Sequence, residues 1–198
     1  MKRLFCLLAT AASLLLTACA STVNSEVTAF HAWPAALPDK SFVFAPDPQQ
    51  QDALQYQHYA QLIREQLLRL GFSDAQNGAS AALKISFHYG MQTGTLVLTQ
   101  PDPFYYGPRY GRRGPFRTPI YDPFWAQPMQ QTAVPVFARQ LHVVIERNTN
   151  GETLYEVTVD SAGYQGTLSM AMPYMVRSAF ADFPGPSGVS RHIEMKID

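Results

Sequence analysis

Between Asp52 and Gly71 the apolar positions recur at steps of three and four: Tyr56, Tyr59, Ala60, Ile63, Leu67 and Leu70 share one side of a 3.6-residue helix. Gln57, Gln61, Arg64, Glu65 and Arg69 fill the other sides, so the spacing predicts an amphipathic helix with its stripe in a core. Asp52 is placed to accept from free N–H groups of the first turn, Gln55 stands where a capping box wants it, and Gly71 supplies a left-handed stop. A Tyr and Leu stripe at this spacing is core material rather than a ligand site.

Elsewhere the period drops to two. Leu83, Ile85, Phe87, Tyr89 and Met91 alternate with Lys84, Ser86, His88 and Gly90, a half-buried strand that Thr95 to Thr99 extends beyond a bend at Gly90 or Gly94. Leu141, Val143 and Ile145 alternate with Gln140, His142 and Glu146, and the chain then reaches Asn148-Thr149-Asn150-Gly151. Asn-Gly there is a hairpin signal because both residues tolerate positive φ. The return strand sets Tyr155, Val157 and Val159 against Glu156, Thr158 and Asp160; one apolar and one polar face imply an antiparallel sheet covered on one side. Shorter strands are predicted near Glu26 to His31 and at Ser41 to Ala45, the latter closed by Pro46 and Pro48. A second helix is predicted from Met172 to Phe183, with Pro173 in its first turn, Met172, Val176, Ala179, Phe180 and Phe183 aligned, and Pro184-Gly185-Pro186 as its stop. Ile193, Met195 and Ile197 alternate with His192, Glu194 and Lys196 in a last strand expected to pair inside the sheet.

These elements add up to a two-layer α/β (α+β) sandwich: a mixed, largely antiparallel sheet of about five or six strands, with both helices on one face. Residues 101–131 break every period. The stretch is rich in Pro, Gly, Tyr and Phe, and connections in compact domains usually run about 4 to 6 residues, so it reads as an insertion. Arg109, Arg112, Arg113 and Arg117 against Asp102 and Asp122 make it locally basic. Arginines beside aromatics stack on sugars or on a partner's side chains. The plainer reading is a mobile loop whose aromatics partly fold back over the open face of the sheet; if it is instead a binding surface, Tyr105, Tyr106, Arg109, Tyr110, Arg112, Arg113 and Trp125 are the candidate interaction residues.

The N-terminus changes the picture most. Met1, Lys2 and Arg3 precede an apolar run from Leu4 to Leu16, the composition of a signal peptide and too short to span a bilayer core, which takes roughly 20 apolar residues. It ends in Leu16-Thr17-Ala18-Cys19, which resembles the bacterial lipobox; residues 1–18 would then be removed and Cys19 would carry a diacylglycerol through its sulfur. Cys6 lies in the removed piece, so the mature chain has no disulfide to form. Residues 19–40 are expected to serve as lipidated N-terminus, tether and short first strand, and 41–198 as one domain. The 15 basic and 15 acidic side chains balance, and removal of Lys2 and Arg3 leaves the acidic ones two ahead. Such a balance gives nucleic acid no electrostatic footprint. Ala20 and Ser21 follow the cysteine where an Asp would retain the protein at the inner membrane, so the expected address is the periplasmic face of the outer membrane.

His88, His142 and His192 fall on the polar side of their strands, where neighbouring strands would let the imidazoles share a transition metal; the more economical reading makes them solvent-face residues and leaves the protein without metal or other cofactor. The sequence contains no HExxH, CxxC, GxSxG or phosphate-loop pattern. The expectation is a lipid-anchored, non-catalytic binding or envelope-structural module with an envelope protein or glycan as partner. The alternatives are an envelope hydrolase or metal-dependent enzyme on the open sheet face, and an interaction protein that recruits its partner through the 101–131 insertion.

Phe42-Val43-Phe44-Ala45-Pro46, the helix ending Leu70-Gly71-Phe72, Gln140-Leu141-His142-Val143 with its hairpin, and the run from Met172 to Gly185 together resemble the bacterial lipoprotein family called domain of unknown function 4136. The resemblance covers nearly all of the chain after Cys19. It implies a lipobox-bearing protein with a single α/β domain, and it implies no catalytic residues.

Overall fold

The structure, a computed structural model, describes residues 22–46, 53–75, 80–101, 129–164 and 166–197. The lipobox with Cys19, Asp52, and the candidate residues Tyr105, Tyr106, Arg109, Tyr110, Arg112, Arg113 and Trp125 lie outside them.

In chain order the elements are β1 (Thr22–His31), β2 (Ser41–Phe44), α1 (Leu54–Arg69), β3 (Ser73–Asp74), β4 (Leu83–Pro101), β5 (Met129–Arg147), β6 (Thr153–Gly163), α2 (Leu168–Ala179) and β7 (Val189–Lys196). They make a seven-stranded sheet in the order β3-β2-β4-β5-β6-β1-β7. Strands β1, β5, β6 and β7 pair antiparallel, whereas β2 runs parallel to both β3 and β4. Parallel neighbours need a crossover, and α1 supplies it between β2 and β3. The class is the expected α+β. The strand count exceeds the expected five or six by way of the two-residue β3, which no periodicity announces.

Odd-numbered residues of the long strands face the core: Val27 and Ala29 on β1, Leu83, Ile85 and Phe87 on β4, Leu141, Val143 and Ile145 on β5, Tyr155, Val157 and Val159 on β6. Tyr56, Tyr59, Ala60, Ile63 and Leu67 of α1 and Leu168, Ala171, Met172, Met175, Val176 and Ala179 of α2 pack into the same cluster. Both helices thus cover one face, as the alternation predicts, and α1 carries its expected stripe. Its N-cap is Ala53, which has no side chain to cap with, and Gln55 Nε2 donates to the Tyr59 hydroxyl (3.0 Å) in place of closing a capping box.

The structure differs from the reading of the sequence at the ends of several elements and in the place of β7. β1 starts at Thr22 and lies between β6 and β7, an inner strand rather than a short segment of a tether. β4 continues as strand through Gly90 and Gly94, neither of which takes positive φ, and reaches Pro101; β5 begins at Met129, inside the expected insertion. Helix α2 begins four residues early, which puts Pro173 in its interior, and it stops at Ala179 rather than Phe183. At the stop the Tyr155 hydroxyl donates to the Ala179 carbonyl (3.0 Å). Phe180 and Phe183 instead join Tyr155, Phe72 and Trp33 in an aromatic cluster. Finally, β7 lies at the sheet's edge, where among the described residues it pairs only with β1.

The chain forms two compact units, residues 1–92 with 137–198, and Thr93–Val136. In the second, the described residues are the ends of β4 and β5, and the position of a Cβ on Gly94 would lie 3.9 Å from the Val136 carbonyl oxygen, placing the two strands side by side.

Candidate functional site

Because odd residues enter the core, even ones populate the opposite face, and register decides which of them meet. Glu26 is the cross-strand partner of His192 on one side and of Asp160 on the other, and Asp160 is the partner of Gln140. The result is a polar row across β7, β1, β6 and β5. His192 Nδ1 lies 2.7 Å from Glu26 Oε1 and its Nε2 3.7 Å from Glu194, the Ser190 hydroxyl donates to Glu26 (3.2 Å), and Gln140 Nε2 donates to Asp160 (2.8 Å). The hydrogen bond to Glu26, with Glu194 adding to it, raises the His192 pKa above its ordinary value. One step along the strands, Thr28, Thr158 and His142 align, with His142 Nδ1 3.1 Å from the Thr158 hydroxyl and its Nε2 3.6 Å from Glu156.

Beside the first row the face dips into a depression of about 580 Å³. Gly90, Ala138 and Ala162, the smallest side chains available, leave its floor low, and Asn24, Gln92, Gln140, Asp160, Glu26 and His192 stand around it. Behind it, odd-numbered Ser25, Ser161 and Arg139 turn their side chains into the interior, where they are buried. Ser161 donates to the Asn24 carbonyl and Arg139 Nη2 to the Gly166 carbonyl, both at 2.8 Å. The buried guanidinium has its pKa lowered by desolvation. These contacts tie the strand ends and the loop before α2 to the back of the depression. The depression thus offers carboxylate and amide groups, with Glu26 paired to His192 and Gln140 to Asp160, while the Ser25 and Ser161 side chains are turned into the interior.

The histidine cluster weighed as the alternative to solvent-face residues does not form. His142 is on β5 and His192 on β7, with β6 and β1 between them, a separation of roughly 14 Å at the usual strand spacing. Each imidazole is already engaged by a different carboxylate, so a metal shared by His88, His142 and His192 is ruled out by topology. Among the described residues no group of three His, Cys, Asp or Glu could hold a metal ion. Of the depression's residues, Gln140, Asp160 and His192 were legible as polar-face residues and Glu26 as the start of a predicted strand, whereas Asn24 was hidden by reading the start of β1 as tether. Their parity carried the signal; strand order did not.

The family model described as a domain of unknown function, DUF4136, matches residues 26–185. No curated protein matches the chain. Among solved structures, a PDZ domain protein from Parabacteroides distasonis ATCC 8503 is similar in fold, with a TM-score of 0.51 at 14% identity over 94% of this chain. The chain spans 42% of that protein's length, and at this identity the likeness is one of fold alone.

Proposed function

The chain belongs to the DUF4136 family, and from that premise we propose that it is a lipid-anchored binding module of the cell envelope, non-catalytic, whose ligand surface is the open face of the sheet. The observation that carries this reading is the depression among Asn24, Glu26, Gln92, Gln140, Asp160 and His192 on the face that no helix covers. Small floor residues admit a ligand, and mutually paired side chains offer it fixed donors and acceptors, so little ordering entropy is lost on binding. The partner is a polar component of the envelope.

The anchor is the lipid on Cys19, and the compartment is the periplasmic face of the outer membrane; the signal sequence and the residues after Cys19 support both. Only Ala20 and Ser21 separate Cys19 from β1. At a chain reach of about 3.5 Å per residue, the sheet would begin within roughly 10 Å of the lipidated sulfur. The binding face would therefore work close to the bilayer surface rather than at the end of a long tether.

The test is a photoreactive amino acid placed at Ala138, on the floor of the depression, or at Gln57, on the exposed side of α1, in intact cells. The expected result is a discrete adduct at Ala138 and none at Gln57. Equal labelling at the two positions, or none at either, would sink the reading.

A further inference from the structure

Among its described residues, the second unit presents a long strand edge with no further strand paired to it. On the side of β4 away from β5, β2 pairs only with Leu83, Lys84 and Ile85; from Thr93 to Pro101 the sole strand neighbour among the described residues is β5. Along this edge Leu96, Val97 and Leu98 are 40%, 54% and 42% exposed, too much apolar surface for a solvated strand tip. Native edges are usually blunted by charge or proline. Here no Asp, Glu, Lys or Arg occurs from Ile85 to Pro101, and no proline before Pro101. β5 carries Pro135 in its corresponding stretch, which has no N–H to offer a further strand.

The sequence of the bare edge is a palindrome: Thr95-Leu96-Val97-Leu98-Thr99 reads the same in both directions. In an antiparallel pair centred on Val97, Thr95 faces Thr99, Leu96 faces Leu98, and Val97 faces its own copy. A twofold interface requires this self-complementarity, each residue meeting a partner whose partner it also is. We propose that β4 pairs edge to edge with β4 of a second copy of this chain, about a twofold axis at Val97. Like side chains then cover one another on both sides of the ribbon, and the exposed N–H and C=O groups find partners. Since the pairing uses up this edge on both copies, the contact closes at the dimer.

Cysteine crosslinking of the full-length chain in native membranes tests this. At the axis, residues directly opposite have Cα atoms about 4.5 or 5.5 Å apart, within the roughly 4.4 to 6.8 Å that a disulfide accepts. Val97→Cys should give a disulfide-linked homodimer as the major species on mild oxidation. Thr93→Cys thiols would sit roughly 27 Å apart along the strands and should give no more dimer than the unsubstituted chain, whose own cysteines are Cys6 and Cys19. Separately tagged Leu96→Cys and Leu98→Cys chains, expressed together, should link to each other. A Val97→Cys dimer no stronger than that of Thr93→Cys overturns the proposal. So does a Val97→Cys crosslink to a different protein in place of the homodimer, which would put another chain on this edge.

Discussion

Two buried tyrosines separate what a hydroxyl contributes from what a ring contributes. Tyr155 is fully buried and donates to the Ala179 carbonyl, so Tyr155→Phe leaves that acceptor unmatched and should cost about 1 to 2 kcal/mol in urea denaturation. Tyr56 stacks on Phe87 with ring centroids 4.4 Å apart, and its buried hydroxyl has no hydrogen-bond partner among the described residues. Tyr56→Phe keeps the stack, sheds an unpaired polar atom, and should leave stability unchanged or raised; a loss above about 1 kcal/mol would contradict this. Burial pushes both phenols up to about 12 from 10.0. The sign follows: an unfolded chain releases these protons near pH 10 while the folded one holds them, so the unfolded state binds fewer protons in that window. Stability should be level in this respect below pH 10 and fall between pH 10 and 12, with part of the slope lost in Tyr155→Phe; a flat profile would refute it. The sequence marks both tyrosines as core residues. The carbonyl opposite Tyr155 was not legible, because it depends on where α2 stops.

Elements were read best where local chemistry acts alone. Helix α1 closes as its Gly71 predicts: φ is +81°, the Phe72 N–H reaches the Leu67 carbonyl and the Gly71 N–H the Leu68 carbonyl, both at 3.1 Å, and Phe72 and Leu67 are both buried. A Cβ on Gly71 would meet nothing within 4 Å, so Gly71→Ala tests backbone conformation without a clash. It should destabilise by about 1 to 2 kcal/mol with an unchanged denaturant slope; no loss would mean that the left-handed stop carries no strain for alanine. The Asn148 to Gly151 turn, with φ +72° at Gly151, was equally legible. Boundaries were missed where tertiary contacts override local signals. Pro173 suggested a helix start, yet Leu168 and Ala171 extend α2 backwards by burying their side chains, and the helix tolerates proline at an interior position. Thr22 to Ser25 looks like a polar tether, but pairing with Glu194 and Met195 of β7 and burial of Val23 and Ser25 draw it into the sheet.

At the scale of the molecule, faces were legible and neighbours were not. Alternation predicted one covered and one open face, but only strand order places Glu26 between His192 and Asp160 and sets His142 apart from His192. A site assembled from single residues on several strands leaves no spacing in the sequence to read. The proposed anchor is the reverse case, resting entirely on Leu16 to Cys19: Cys19→Ala should move the protein from the membrane to the soluble fraction and abolish fatty-acid labelling, and persistence of both would refute lipidation. The claim that the open face is the working surface is tested most directly by filling the depression. Ala162→Trp puts a large side chain on its floor, at an exposed position where the fold has room for it. The adduct formed from a photoreactive residue at Ala138 should fall at least about tenfold, roughly 1.4 kcal/mol of binding, while the thermal unfolding midpoint stays that of the parent. An undiminished adduct in a folded Ala162→Trp protein would contradict the account.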